Sequence, residues 1–420
     1  MNIPISKINS FEIKSFENEI IRKGLTIHNF SDSKIILIAK NYFEAPWNSE
    51  EKSDKLLHLQ ESVKFLLGHS YFQIKFQDDN HIEILNIKHT FERELDNWVQ
   101  QECDNGAQQK RGQAEKASEK IKEAFYQNAA SLDLQSLGLK TIPSIIGDLV
   151  NLRELNLYNN HLMSLPDTLG NLSHLRRLNL GYNYLTKLPD TIENLSNLTE
   201  LKLNHNQFAI LSDTIGSFCK LTELHLDYNC LKRLPDTIGN LRNLTILYLD
   251  HNQFAELLDA IGNLNNLTEL SLCNNLLEKL PDAIGRLGNL INLYLSYNRL
   301  KSLPNTIENL DNLTRLDLDH NRFKKLSDTI KNLGHLTRLN LGYNQLTNLP
   351  DAIGDLNNLI KLDLGNNKLK RLPDTIGRLS LLERLDIVFN PKLRKFPLSL
   401  RQCSKLTPPD VQGTGILEER

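Results

Sequence analysis

Few residues in this 420-residue chain combine the type and the spacing that catalysis requires. Cys103, with His81 and His89 upstream, is the only cysteine–histidine grouping outside the central part of the chain. A cysteine next to a histidine base is a nucleophile suited to acyl or group transfer. No recognisable motif surrounds these residues, and an ordinary thiol is the simpler interpretation. We therefore predict no enzymatic activity, with catalysis in the N-terminal region as the alternative hypothesis.

Aromatic residues recur every 23 residues, a pattern suited to binding rather than catalysis. Tyrosine offers a large amphipathic contact area at little entropic cost, so protein interfaces favour it. We interpret this series as outward positions of the repeated strands, and we expect a binding role above all from Tyr228 to Tyr297, where Tyr248 and Tyr294 are nearby. The alternative is that each ring lies over the next repeat and only seals a turn. The series reads Tyr182, His205, Tyr228, His251, Asn274, Tyr297, His320, Tyr343, Asn366 and Phe389.

An asparagine follows each member of this series and belongs to a longer frame. From Leu152 to Leu162 the frame reads LxxLxLxxNxL. Alternating leucines indicate a short strand with both side chains inward, and the asparagine is expected to turn the chain by bonding backbone groups at the strand's exit. A degenerate twelfth copy precedes these, with Leu137 at the asparagine position. The structural asparagines are Asn160, Asn183, Asn206, Asn229, Asn252, Asn275, Asn298, Asn321, Asn344, Asn367 and Asn390.

The second half of each copy approaches helical spacing, with Pro166 where a first turn tolerates proline. Each copy thus predicts one strand and one short helical turn, which cannot bury its leucines alone. Stacked copies predict an α/β fold at residues 131–400. This fold is a right-handed leucine-rich-repeat solenoid of about 12 repeats, with a parallel sheet on the concave side. At about 4.8 Å per strand, the concave face is on the order of 50 Å long, enough for a protein partner.

The residue before the second leucine of the frame forms a charged column that changes sign along the chain. Such a gradient could orient a partner and steer its approach. Alternatively, Asp317, Asp363 and Asp386, two residues further along their strands, neutralise much of the basic half. The column reads Glu154, Arg177, Glu200, Glu223, Ile246, Glu269, Asn292, Arg315, Arg338, Lys361 and Arg384. The predicted partner-binding residues are Tyr182, Tyr228, Tyr248, His251, Tyr294, Tyr297, His320, Tyr343, Arg315 and Arg338.

Three histidines, His205, His251 and His320, each begin a His-Asn-x-Phe sequence. Strands two or more apart would hold them about 10 Å or further from each other, whereas zinc ligands lie near 2 Å from the metal. We therefore predict no metal and no cofactor. The same copies lose a proline, which is replaced by serine or leucine. Altered local curvature and duplication of a repeat pair explain this equally well.

The first 110 residues lack the repeat and predict a small α+β domain of unknown function. Residues 11–16 and 35–39 resemble strands, 71–76 and 82–87 resemble a hairpin, and 50–67 resembles an amphipathic helix. A polar connector at 104–111 follows.

The solenoid needs a cap at each end because its terminal repeats expose the leucine core. Residues 111–130 are expected to form a linker and a helix whose apolar stripe, including Ala117 and Ile121, plugs the first repeat. Residues 401–420 are expected to form a polar C-terminal tail.

The composition describes a soluble protein, with 40% hydrophobic residues, 24% charged residues and a net charge of -2. It lacks the basic excess of a nucleic-acid binder, and it contains no apolar run near the ~18 residues of a membrane span and no signal peptide. The five cysteines are scattered, which favours reduced thiols. We therefore expect a cytoplasmic monomer, with the repeated Asn-Leu-Thr sequons as by-products of the frame.

The stretch from Ala124 to Pro166 and the iterated Leu-Pro-Asp-Thr-Ile-Gly-Asn-Leu resemble the intracellular, Ras-suppressor-like class of leucine-rich-repeat proteins, over about two-thirds of the chain. This class occurs in signalling scaffolds, plant intracellular forms, bacterial Roco proteins and effectors delivered into host cells. The resemblance implies partner binding through the concave face, commonly in small-GTPase or phosphatase signalling. The phosphate loop of a Roco GTPase is absent, as is a ligase domain after Asn390. The Asn- and Lys-rich composition would suit a secreted bacterial effector.

Overall fold

A computed structural model of the chain describes residues 26–31, 34–38, 72–78, 81–103 and 108–416. Backbone contacts divide the chain into two units, Met1–Gly106 and Ala107–Arg420. In the first unit, four strands form an antiparallel sheet in the order β1-β2-β4-β3. The strands are β1 Thr26–Ser31, β2 Lys34–Ile38, β3 Phe72–Asp78 and β4 His81–Asn86.

The strand expected near residue 35 and the hairpin are present, whereas the segments expected at 11–16 and 50–67 lie outside the described residues. Sequence analysis missed β1 and also the helix α1, Ile87–Cys103, which contacts the hairpin. A helix rises about 1.5 Å per residue, so the backbones of His89 and Cys103 are about 21 Å apart. This distance is too long for a cysteine–histidine catalytic pair.

The second unit begins with the helix α2, Gln108–Tyr126, so the helix starts within the segment expected as a polar connector. Ala114, Ala117, Ile121 and Ala124 are buried, at the spacing of one helix face. The helix contacts the first strand of the solenoid, and the Lys120 ammonium donates to the backbone oxygen of Asp133 at 2.7 Å. The capping role expected for the helix stays a prediction, which this packing favours.

Twelve three-residue strands follow in one parallel sheet, in sequence order. Neighbouring strands pair residues 23 positions apart, such as Leu155 with Leu178, and the central leucine of each strand is buried. The predicted solenoid of about 12 repeats is confirmed. The strands are β5 Ser131–Asp133, β6 Glu154–Asn156, β7 Arg177–Asn179, β8 Glu200–Lys202, β9 Glu223–His225, β10 Ile246–Tyr248, β11 Glu269–Ser271, β12 Asn292–Tyr294, β13 Arg315–Asp317, β14 Arg338–Asn340, β15 Lys361–Asp363 and β16 Arg384–Asp386.

The helical half of each repeat is a five-residue 3-10 turn. Pro166 precedes its turn in an extended conformation, with φ -71° and ψ 145°, so the proline lies outside the turn rather than within it. Where proline is replaced by Ser212 or Ser327, the hydroxyl accepts a hydrogen bond from the backbone two residues later. The turns are Ser144–Asp148, Asp167–Asn171, Asp190–Asn194, Asp213–Ser217, Asp236–Asn240, Asp259–Asn263, Asp282–Arg286, Asn305–Asn309, Asp328–Asn332, Asp351–Asp355, Asp374–Arg378 and Leu398–Gln402.

The repeated asparagines form a buried ladder that joins neighbouring repeats. The Asn252 side-chain oxygen accepts from the Leu231 backbone at 2.9 Å. Its side-chain nitrogen donates to the carbonyls of Leu226 and Leu249, at 2.9 and 3.1 Å. Each asparagine therefore satisfies buried groups in its own repeat and in the preceding one. The sequence predicted only the bonds at the exit of its own strand.

The segment expected as a tail folds back as a partial repeat. The Thr407 N–H donates to the Glu383 carbonyl, and the Phe389 N–H donates to the Gln412 carbonyl, as a further repeat would arrange. Gly413 adopts φ 65°, the left-handed conformation that precedes each ladder asparagine, and it tolerates this because it lacks a Cβ. The Thr414 hydroxyl then donates to the Val411 carbonyl, in place of an asparagine amide.

Pro408 and Pro409 occupy the positions where this partial repeat would form its strand. Proline has no N–H to donate to a sheet, so the parallel sheet ends at β16. A protected edge of this kind limits pairing with another chain.

Candidate protein-binding face

The solvent-facing side of the twelve strands presents two parallel columns of side chains. Because the central residue of each three-residue strand points into the core, the first and third residues point outward. The leading column is made of the first residues, from Ser131 through Glu154 to Arg384, and is the charged column described above. The trailing column is made of the third residues, Asp133, Asn156, Asn179, Lys202, His225, Tyr248, Ser271, Tyr294, Asp317, Asn340, Asp363 and Asp386.

In the N-terminal half, acidic residues of the leading column have cationic neighbours. Arg177 forms an ion pair with Glu154 on the adjacent strand, and the Lys202 ammonium lies 2.5 Å from a Glu200 oxygen. The pair with Glu154 raises the pKa of Arg177 through a hydrogen bond and charge attraction. Two of the four glutamates in this half of the leading column, Glu154 and Glu200, are therefore neutralised by a neighbouring cation.

Where both columns carry a charge on the same strand, as on β8, β13, β15 and β16, the trailing residue has the opposite sign to the leading residue. Lys202 and His225 lie beside glutamates in the first half, whereas Asp363 and Asp386 lie beside Lys361 and Arg384 in the second. Sequence analysis identified the sign change of one column and missed that the other column changes in the opposite sense. Reading the third residue of each strand as a separate series would have shown it.

The expected neutralisation of the basic half occurs at one strand. An Arg315 nitrogen lies 2.8 Å from a carboxylate oxygen of Asp317. Among the residues that the structure describes, no carboxylate lies within 4.0 Å of the charged nitrogens of Arg338, Lys361 or Arg384. Three successive cations therefore have no ion-pair partner within that distance.

Two tyrosines hold the centre of the face, on strands β10 and β12. The Tyr248 hydroxyl donates to a Glu269 carboxylate oxygen at 2.7 Å, and burial with this acceptor raises the pKa of Tyr248. The Arg315 guanidinium lies over the Tyr294 ring, 4.9 Å from its centroid. Both rings are half-buried and fixed by neighbours, as rigid interface anchors are.

The other predicted aromatic residues lie beyond the strands, in the turn before each ladder asparagine. This correction concerns Tyr182, Tyr228, His251, Tyr297, His320 and Tyr343. All six adopt φ between 50° and 56°, which bulky side chains rarely do.

These rings stack on one another along the solenoid. The centroid distance is 3.8 Å between Tyr182 and His205, and 4.0 Å between His205 and Tyr228. A second stack joins Tyr297, His320 and Tyr343. Stacking offsets strain in the left-handed turn and supports the sealing role that was the alternative interpretation. The tyrosines remain 41% to 53% exposed, so a binding role for them stays a prediction.

Half-buried acids line the boundary between the face and these turns, and sequence analysis did not single them out. Burial, with repulsion from Asp250, raises the pKa of Asp227 to about 6. The pKa of Asp250 is also raised by burial, although its side chain accepts from the Cys273 backbone at 2.6 Å. The protonation of Asp227 therefore changes at mildly acidic pH.

Several features bear on the other predictions. Within the described ranges, no group of three or more histidine, cysteine, aspartate or glutamate residues is placed to hold a metal ion. None of the described helices has the length and apolarity needed to cross a membrane.

The sequon asparagines Asn243 and Asn266 donate their side-chain amides to carbonyls of the preceding repeat, at 2.7 and 2.9 Å, so the recurring Asn-Leu-Thr has a structural use.

Comparisons with known proteins agree with this architecture. Models of the leucine-rich repeat match residues 151–172, 167–253, 236–341 and 334–391. A solved leucine-rich-repeat protein of Leptospira interrogans is 36% identical, with a TM-score of 0.66, over 70% of this chain and 75% of that chain. A search of curated proteins gave no match. The chain belongs to the leucine-rich-repeat family.

Plant receptor structures are also similar. The ectodomain of the Arabidopsis thaliana membrane receptor kinase GASSHO1/SCHENGEN3, in complex with Casparian strip integrity factor 2, is 32% identical with a TM-score of 0.57. The match covers 65% of this chain and 34% of that chain. The Arabidopsis receptor kinase HAESA, in complex with a peptide hormone and a co-receptor, is 28% identical over 69% of this chain and 55% of that chain, with a TM-score of 0.56. Leucine-rich-repeat folds generally serve as scaffolds for protein–protein interaction.

Proposed function

We propose that this chain is a monomeric, non-enzymatic scaffold that binds a protein or peptide partner on the concave face of its solenoid. The observation that carries the proposal is the pair of fixed tyrosines, Tyr248 and Tyr294, at the middle of an otherwise polar and charged face. Aromatic residues held in place before binding lose little entropy when a partner covers them. The two rings form the energetic centre of the contact.

The similar plant receptors support a ligand-binding use of this architecture, because they were solved with a bound protein or peptide. The four described cysteines that lie in the second unit are free, which fits a reducing compartment such as a cytosol. A bacterial protein delivered into a host cell, acting in small-GTPase or other host signalling, is the setting that fits the composition and the Leptospira similarity best.

The leading column acts mainly on the approach of the partner. Exposed charges mainly change association rates, and salt screens them. Arg338→Glu should therefore lower the association rate and flatten its dependence on ionic strength, while the dissociation rate changes little. Surface plasmon resonance at two salt concentrations measures both rates.

The central test uses the full chain to capture a partner from lysate, followed by the binding kinetics of tyrosine variants. Tyr248→Ala and Tyr294→Ala should each weaken binding by about 1 to 3 kcal/mol, chiefly through faster dissociation. Tyr184→Ala is the matched control, because Tyr184 is 47% exposed and its ring stacks on His161 outside the strands.

Circular dichroism establishes that each variant is folded. The proposal is wrong if both tyrosine variants bind the partner normally while substitutions in residues 1–106 abolish binding. In that outcome the first unit carries the recognition.

A further inference from the structure

In the C-terminal third of the face, three basic residues of the leading column follow one another on adjacent strands and are here called the basic file. Arg338, Lys361 and Arg384 are paired in register on adjacent parallel strands, which lie about 4.8 Å apart. Like charges directly opposite each other in a sheet repel. Arg338 and Arg384 are exposed and Lys361 is half-buried, so a partner on the face can reach all three.

Acidic residues of the trailing column form a parallel row of opposite charge, here called the acidic file. Asp363 and Asp386 are the third residues of β15 and β16, and Asp410 continues the file at the equivalent position of the partial repeat. Residues two apart in a strand are roughly 6.6 Å from each other. Burial and repulsion from Asp386 raise the pKa of Asp363, so this acidic file also lacks full compensation.

The two files line one hollow. Its volume is about 480 Å³, and its lining includes Arg315, Asp317 and the two files. Pro408 and Pro409 form its wall at the C-terminal end of the sheet. The hollow is therefore a defined subsite rather than a diffuse charged area.

The geometry points to a polypeptide segment with one acidic edge and one basic edge as the occupant of this hollow. The segment lies across β14 to β16, with carboxylates facing Arg338, Lys361 and Arg384 and ammonium groups facing Asp363 and Asp386. An extended chain that alternates glutamate and lysine has this form, because successive side chains project to opposite edges. This inference rests on the proposed function, and it assigns the chemistry of one part of the partner.

Charge complementarity selects this occupant over two others. A nucleic acid carries negative charge on every side, and the acidic file would repel it. A second copy of the chain would offer the acidic leading column of its N-terminal half. Two of those glutamates, Glu154 and Glu200, already have partners in Arg177 and Lys202, and two concave faces cannot meet along their length.

The test uses two capped, fluorescent twelve-residue peptides of equal composition and zero net charge. One alternates glutamate and lysine, and the other places six glutamates before six lysines. Fluorescence anisotropy with the full chain at low ionic strength should show at least about tenfold tighter binding of the alternating peptide. Because composition is equal, the difference reports the pattern alone.

Lys361→Gln and Asp386→Asn should each weaken binding of the alternating peptide several-fold. Arg371→Gln is the matched control, because Arg371 is exposed in the loop between β15 and its 3-10 turn and should change nothing. Equal binding of the two peptides, or tighter binding of a single-stranded oligonucleotide, overturns the inference.

Sedimentation velocity of the full chain tests whether a second copy of the chain occupies the hollow. A concentration-dependent dimer that Lys361→Gln removes would make a second copy the occupant and overturn the inference. The proposed function is judged separately, because loss of the captured partner in Tyr248→Ala would stand even if neither peptide bound.

Discussion

The two sides of the twelve-stranded sheet follow different rules although one repeat generates both. On the inner side, every strand buries a leucine, and every ladder asparagine makes the same bonds. On the outer side, Glu200 and Lys202 on β8 have the opposite order of charge to Lys361 and Asp363 on β15. Packing constrains the inner side at each repeat, whereas the outer side is free to vary, as the proposed recognition requires.

The residues before the ladder asparagines, from Tyr182 to Phe389, are here called the turn column, and they lie between these two cases. Its tyrosines are exposed like the outer columns, but their rings stack from repeat to repeat like the core. An exposed aromatic residue is therefore not by itself evidence of binding. The fixed strand tyrosines are better candidates because neither ring is stacked face to face on another aromatic ring. His225 meets Tyr248 edge-on, and Arg315 lies over Tyr294.

The largest expected effect tests the inner side. Asn252→Leu leaves the buried Leu231 N–H without its side-chain acceptor. It also removes one of two side-chain donors from each of the Leu226 and Leu249 carbonyls, which keep their bonds to Asn229 and Asn275. One buried unsatisfied group costs about 1 to 3 kcal/mol, so we expect a loss of about that size in the free energy of unfolding. Urea denaturation followed by circular dichroism measures it.

Asn357→Leu is the matched control, because Asn357 is exposed just after a 3-10 turn. It should change stability by no more than about 0.5 kcal/mol. Equal effects of the two substitutions would show that the ladder is not the feature that separates the inner side from the outer side.

The repeat made the inner side predictable from sequence. The period of 23 residues determined the sheet, its order, the buried leucines and the ladder positions, because packing is nearly the same in every copy. The conformation of the turn column was not predictable in this way, since its positive φ depends on the corner that each asparagine creates. Its rings were therefore assigned to the strands.

The parts that lack the repeat were predicted less well. The partial repeat at residues 403–416 was missed because one extra residue near Pro391 shifts the frame, so Leu406 and Thr414 fall 24 rather than 23 residues after Leu382 and Asn390. The helix α1 was missed because its buried residues, Phe91, Leu95 and Trp98, are few and lie among charges. Local pattern alone gave too little signal there.

A smaller effect is expected at the boundary of the face, where Asp227 lies. Its folded pKa of about 6 is above its ordinary value, so the folded state holds the proton more tightly and stability falls as pH rises from about 4 to 6. Asp227→Asn should remove this loss. We expect a gain of about 1 to 2 kcal/mol at pH 7, allowing for solvent screening, and little change at pH 4.

Thermal or urea unfolding at several pH values measures this dependence. Asp213→Asn, at an exposed 3-10 turn, is a control that should leave the pH profile unchanged. A parallel shift of the whole profile by Asp227→Asn would indicate a packing effect instead of a titration.

The smallest expected effect compares the two halves of the outer side. Arg177 has an ion-pair partner in Glu154, whereas Arg338 stands between Arg315 and Lys361 in a column of like charge. Arg338→Gln should relieve repulsion and raise stability by a few tenths of a kcal/mol, whereas Arg177→Gln should lower it. Both differences should shrink in 1 M salt, because exposed charges are screened there. If both substitutions lowered stability alike, Arg338 would stabilise the folded protein as Arg177 does. The contrast between the paired residues of the first half and the unpaired basic residues of the second half would then fail.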